Sequence, residues 1–258
     1  MLDAHPSVFG LGEASAVPYQ VDLLEAELKR RQDAAMAKKR QAFESEFRLI
    51  VAKHADKLLQ FMRARAAESG RQGRVTRVVD KTLRNSRNLA QILLLFPNAT
   101  IIHTTRSPMD TLWSCMQHHF GSPNMVYTLH EASLAEEYDL YRQVMAHWSK
   151  SLPAGRVIEV RYEDLVCRPE DTMRRVLDHM KLPWHEAVLC HHEKDRKQVK
   201  TASALQVRRS VYTTSIGAWE RYAAQLEPLA KRLGAGTVPV SFRAHAPCDA
   251  LPPPFPPQ

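Results

Sequence analysis

A parallel-sheet α/β fold is the prediction for this 258-residue chain, and three features carry it. β-Branched runs recur at RVTRVV (74–79), TIIHTT (100–105) and RVIEVRYE (156–163). Helix-period segments separate them, the arrangement that builds βαβ units and a parallel sheet. No repeat or clean linker interrupts this alternation, so 1–240 reads as one domain. The tail 241–258, which ends in LPPPFPPQ, reads as disordered because its composition leaves little to pack.

Met1 to Ala4 read as the last turn of a helix. His5 precedes a proline and is steered out of the helical region. Gly10 and Gly12 then bracket a tight loop that delivers Glu13. From Val17 to Ala67, apolar residues at helical spacing (Phe43, Phe47, Ile50, Val51, then Leu58, Leu59, Met62) predict two amphipathic helices with a break near 38–41. ESGRQGR (68–74) is a loop before the first predicted strand. Helices follow at 86–96, 108–118, 130–151 and 169–180, then around 183–193, 214–223 and 226–233. The segment at 169–180 carries the clearest signals, with Pro169 in its first turn and Met173, Val176, Leu177 and Met180 on one face.

An excess of eight positive charges suits an anionic partner without choosing one. Basic helices at 24–67 keep nucleic-acid binding open, but no aromatic stacking platform accompanies their charge, so no nucleic-acid partner is expected. Neither a signal-peptide core nor a bilayer-length apolar run is present, which predicts a soluble cytoplasmic chain. Cys115, Cys167, Cys190 and Cys248 lack C-x-x-C spacing and read as thiols. The pairs His118–His119 and His191–His192 read as surface histidines, and no metal site is expected.

Two strand ends hold the strongest chemical signals. In IIHTTRSPMDTLWS, Arg106 stands at the carboxyl end of a strand, where open α/β sheets bind ligands. Ser107 is a natural N-cap, Pro108 fits the first helical position, and Asp110 completes an S-x-x-D capping box. The planar fork of Arg106 suits a phosphate. The alternative is an arginine paired with Asp110 or Glu163. Ser114 shares the helix face of Ser107 and offers a hydroxyl. In VVDKTLRN, Lys81 follows another strand and supplies a compact charge for a transferring group. Glu13, on its glycine-flanked loop, is a candidate general base or simply a solvated acid. RYED (161–164) ends the third strand and places Arg161 or Tyr162 near the same edge, where Tyr162 either stacks on a base or fills the core.

In this order, MLDAHP…GE, VVDK, FPNATIIHTTRSPMDTLWS, VIEVRYEDLVCRPE, HEAVLCHHE and KTASALQV…SIGAW resemble the PAPS-dependent sulfotransferases. The similarity is to the branch of tyrosylprotein sulfotransferases and of bacterial enzymes that carry tetratricopeptide repeats. The resemblance implies a P-loop-NTPase-like three-layer fold, with helices flanking a parallel sheet. It implies sulfuryl transfer from PAPS to a hydroxyl of a tyrosine or a sugar. Glu13 then matches the base and Lys81 the lysine that steadies the sulfuryl group. Arg106 and Ser114 match the pair that holds the 3′-phosphate, with Tyr162 and Ser203 as further cofactor contacts.

Departures from the family pattern carry expectations of their own. The family's first strand and glycine-bearing phosphosulfate loop lie upstream of the MLDAHP equivalent. The resemblance therefore implies an N-terminally truncated domain with weak or absent turnover, or a remnant that only binds 3′-phosphoadenosine. A luminal Golgi location would follow if an anchor precedes the chain. Ala218 stands where relatives often carry a basic residue, with Arg208 or Arg209 as replacements. The acceptor itself is not legible.

Overall fold

The computed structural model describes residues 1–35, 40–71, 73–192, 211–234 and 248. They fall into two compact units, one of 1–99 with 185–188 and one of 100–184 with the chain from 189 onward. Helices alternate with parallel strands in both, as the sequence predicts.

The first unit opens with a 3-10 turn (Leu2–Ala4), strand β1 (Val8–Gly12), helices α1 (Ala16–Ala35) and α2 (Arg40–Glu68), and strand β2 (Arg77–Asp80). A second 3-10 turn (Leu83–Arg87) and helix α3 (Leu89–Leu95) follow. β1 and β2 pair in parallel, with Val8 opposite Arg77 and Gly12 opposite Asp80, and the register shifts between Gly10 and Gly12. Val21 and Leu24 of α1, Ile50 and Ala55 of α2 and Leu95 of α3 form the buried core of the unit.

β1 corrects the expected tight loop at Gly10 and Gly12. Gly10 serves close approach rather than a turn, because a Cβ there would lie 2.8 Å from Asp3 Cβ. Its N–H donates to Asp3 Oδ1 at 2.8 Å. Gly12, at φ +74°, makes the left-handed exit from the strand.

α1 and α2 are joined by a polar clasp. Gln20 Nε2 donates to the buried His54 Nδ1 at 2.5 Å, so His54 Nε2–H donates to Glu27 Oε2 at 3.0 Å. Lys53 Nζ also donates to Glu27, at 2.8 Å to the same oxygen. The hydrogen bond from Lys53, then that from His54, brings the Glu27 carboxyl down from 4.5 to about 2. A folded-state value below the unfolded one gives stability that is present above pH 4.5 and lost as pH falls through about 2. Glu27→Gln is therefore expected to lower the melting temperature at neutral pH, and the gap to the parent should close near pH 2. A gap that persists in acid would contradict this assignment.

The second unit contains β3 (Ile101–Thr105), α4 (Pro108–Met116), a 3-10 segment (Pro123–Leu129), α5 (Glu131–Ser151) and β4 (Val157–Arg161). It continues with α6 (Tyr162–Cys167), α7 (Pro169–His179), a 3-10 turn (Ala218–Tyr222) and α8 (Glu227–Leu233). β3 and β4 pair in parallel from Ile101 opposite Val157 to Thr105 opposite Arg161. The predicted third strand stops at Arg161 because Tyr162 already begins α6. Around 183–193, the described residues form only the single turn Glu186–Val188 in place of a helix. Met109, Leu112, Leu134, Ala135, Leu226, Leu229 and Leu233 make the core of this unit. Leu229 and Leu233, which α8 buries, contribute roughly 1.5–3 kcal/mol each and fix that helix against α4 and α5.

Cys167 and Cys248 form a disulfide across 81 residues of sequence, correcting the expectation of four thiols. The bond requires the two backbones to meet, and their Cα atoms lie 5.2 Å apart, a closeness no spacing rule reveals. Cys115 and Cys190 remain free. Among the described residues, no helix is long and apolar enough to cross a membrane.

Candidate active site

Each unit places candidate residues at the carboxyl ends of its parallel strands, the ligand-binding edge of such sheets. In the first unit, Glu13 follows the end of β1 and Lys81 the end of β2. Lys81 N–H donates to the Gly12 carbonyl at 3.0 Å, extending the pairing past the strands. The Lys81 ammonium and the Glu13 carboxylate are directly ion-paired. Side-chain exposures of 66% and 43% leave both open to solvent. An exposed pair of this kind is worth about 0–1 kcal/mol, so opening it for a substrate costs little.

The residues flanking Lys81 in sequence form a small polar cluster. Asp80 Oδ2 accepts from Asn85 Nδ2 at 2.6 Å and from Thr82 Oγ1 at 3.3 Å. Burial raises the Asp80 carboxyl pKa against the pull of those two hydrogen bonds and of Lys81. Asp80 Oδ1 is buried without a hydrogen-bond partner among the described residues. Arg84 bridges to Asp22 of α1 at 3.2 Å and ties the turn after Lys81 to the helix after Glu13.

In the second unit, Arg106 leaves β3 immediately before α4. Its Nη2 donates to the Ser215 carbonyl at 2.7 Å, and its guanidinium lies 4.7 Å above the Tyr162 ring. Tyr162 thus stacks on arginine, a cation–π contact, rather than filling the core. Burial pushes the Tyr162 phenol up, opposed by its hydrogen bond with Ser215 and by the Arg106 charge. Among the described residues Arg106 has no carboxylate partner, so the alternative pairing with Asp110 or Glu163 is not made. Arg106 Nε is buried with no hydrogen-bond partner among the described residues. A buried charged donor without an acceptor is unfavourable, and an anion or a water would complete it.

The capping box forms by one arm only. Ser107 Oγ accepts from Asp110 N–H at 3.4 Å, as predicted. The reciprocal arm is replaced, because Ser107 N–H donates to the buried Glu163 Oε1 at 2.7 Å. The Asp110 carboxylate instead accepts from Gly217 N–H at 2.8 Å and Trp219 N–H at 3.2 Å. Sequence reasoning missed Ser215, Gly217 and Trp219 as site-forming residues, although SIGAW was a visible signal.

Ser114 lies two turns into α4, and its hydroxyl has no partner among the described residues. Its carbonyl contacts His118 Nδ1 at 2.7 Å. Ser203, Arg208 and Arg209 lie outside the described residues. An open cavity of about 380 Å³ in the second unit, lined by His103, Tyr138, Tyr141 and Arg142 among others, includes none of the candidates. Among the described residues, no cluster of metal-ligating side chains occurs.

The chain matches the model of the Sulfotransferase family over residues 1–186. It is 35% identical over 162 residues to an uncharacterized protein of Aquifex aeolicus, a match covering 62% of this chain and 21% of that one. It is 28% identical over 211 residues to a protein-tyrosine sulfotransferase of Drosophila melanogaster, covering 75% of this chain and 37% of that one. The chain thus spans well under two thirds of the length of either relative. A sulfotransferase domain from the Synechococcus PCC 7002 olefin synthase is similar in structure, with a TM-score of 0.55 at 19% identity. That similarity covers 85% of this chain and 80% of the domain, and it speaks to the fold.

Proposed function

This chain belongs to the sulfotransferase family, and we propose that it moves a sulfuryl group from PAPS to a hydroxyl, within one sulfotransferase-like domain at 1–240. Similarity to a protein-tyrosine sulfotransferase favours a tyrosine phenol as acceptor over a sugar hydroxyl. The observation that carries the reading is Arg106, a guanidinium with a buried, unpartnered Nε and no carboxylate partner among the described residues. It stands beside a tyrosine face at a strand end. That arrangement fits the 3′-phosphate of PAPS, with the Ser114 hydroxyl as a further donor. Ser203 belongs to the same assignment by resemblance alone.

Bound PAPS supplies an activated sulfuryl group on a phosphate that can leave. Glu13 takes the acceptor O–H proton as the acceptor oxygen forms its bond to sulfur. The bond from sulfur to the phosphate oxygen breaks, and the electron pair stays with that oxygen. Lys81 places its charge where this negative charge gathers. Little covalent work is asked of the protein, so positioning and charge carry the rate. The Glu13–Lys81 pair is the resting arrangement of both groups, cheap to open and already at the strand ends.

The test is transfer of label from ³⁵S-PAPS to a tyrosine-bearing peptide. The expected result is label on the phenol that depends on Glu13. Labelling that is equal in Glu13→Gln would overturn the assignment of the base. Nucleotide binding without transfer would favour a 3′-phosphoadenosine-binding protein instead.

A further inference from the structure

We propose that Asp110 is a positioning residue for the Arg106 anion clamp, acting through the turn at 215–219 rather than as a helix cap. The inference rests on the reading of Arg106 as the donor-phosphate contact. Asp110 is 2% exposed, and its carboxylate accepts from two backbone N–H groups more than 100 residues away in sequence, those of Gly217 and Trp219. Its availability for that task follows from Glu163, which takes the Ser107 N–H that a capping-box acid would hold.

The tied turn is the one that touches Arg106. Ser215, two residues before Gly217, offers its carbonyl to Arg106 Nη2 at 2.7 Å and shares a hydrogen bond with Tyr162. Gly217 sits at φ +68°, a left-handed conformation that bends the chain between the Ser215 carbonyl and the Asp110 carboxylate. The start of α4 therefore holds both ends of one short loop. Arg106 takes its carbonyl, and Asp110 takes its amides. The Ser215 carbonyl on one Nη and the Tyr162 face together fix the orientation of the Arg106 guanidinium.

Docking of the segment does not depend on Asp110. Trp219 packs against the core of the unit, the Tyr222 ring lies 4.4 Å from Trp113, and Leu226 and Leu229 are buried. Loss of the carboxylate should therefore shift the turn without releasing it. Asp110→Asn is the direct probe, because an amide keeps the shape but only one acceptor oxygen.

Calorimetry with adenosine 3′,5′-bisphosphate on the full chain provides the test. Arg106→Ala weakens binding first, and if it does not, the underlying reading fails and this inference falls with it. Asp110→Asn is expected to weaken binding about tenfold in the parent, the scale of one lost charge-assisted hydrogen bond. In the Arg106→Ala background the same change should have no further effect on affinity, although it still lowers the melting temperature. Full additivity in affinity, or no effect of Asp110→Asn in the parent, overturns the proposal. Should Asp110→Asn fail to fold, Gly217→Ala strains the same turn from its other side. Its affinity loss should likewise vanish without Arg106, and an unchanged affinity would be decisive against the inference.

Discussion

Glu13→Gln is expected to lower the turnover number by roughly 10²–10⁴, the usual worth of a positioned general base, while donor affinity stays nearly constant. The amide keeps the size and the hydrogen-bonding reach of the carboxylate but cannot accept the phenolic proton. Folding should be unaffected, since Glu13 is exposed and its bond to Lys81 is a surface ion pair. Steady-state kinetics separates this from a structural role. A merely structural Glu13 would change the melting temperature or both Michaelis constants, and the turnover number little. A parent-like turnover number in Glu13→Gln rules out the base.

Lys81→Ala is expected to cost about 10²–10³ in turnover, on the scale of losing one preorganised donor at a developing charge. Its backbone N–H remains bonded to Gly12, so the strand ends should keep their pairing. Lys81→Arg preserves the charge while spreading it over a planar fork, and it should recover only part of the loss. If Lys81 merely balanced the Glu13 charge, Lys81→Ala and Glu13→Gln would each be mild and their combination no worse. Two large losses, each visible in the turnover number, are what the proposed reaction requires.

Much of this arrangement was legible in the sequence because local chemistry set it. TIIHTTRSP announces a strand, an N-cap and a first-turn proline within nine residues, and β3 and α4 follow that script. The helix at Pro169–His179 and the pair α1 and α2 were equally plain from their apolar spacing. β1 was not, because Gly10 answers a contact with Asp3 seven residues earlier, and a glycine reads as a turn when that contact is unseen. Asp110 shows the same limit more sharply. S-x-x-D predicted a closed capping box, and the serine arm formed. The acid was redirected because Glu163, 56 residues away from Ser107 in sequence, occupies the position it would have taken. The Cys167–Cys248 bond and the Ser215 carbonyl on Arg106 are likewise products of tertiary approach. Residue types and strand ends reveal which groups carry charge, whereas their partners are set by the fold.

The central claim is that Arg106 awaits the phosphate of a nucleotide donor, and titration calorimetry with adenosine 3′,5′-bisphosphate tests it most directly. The account predicts saturable binding by the parent chain and a loss of at least about tenfold in Arg106→Ala, the value of one charge-assisted contact. Absence of binding in the parent, or equal binding by Arg106→Ala, would contradict it.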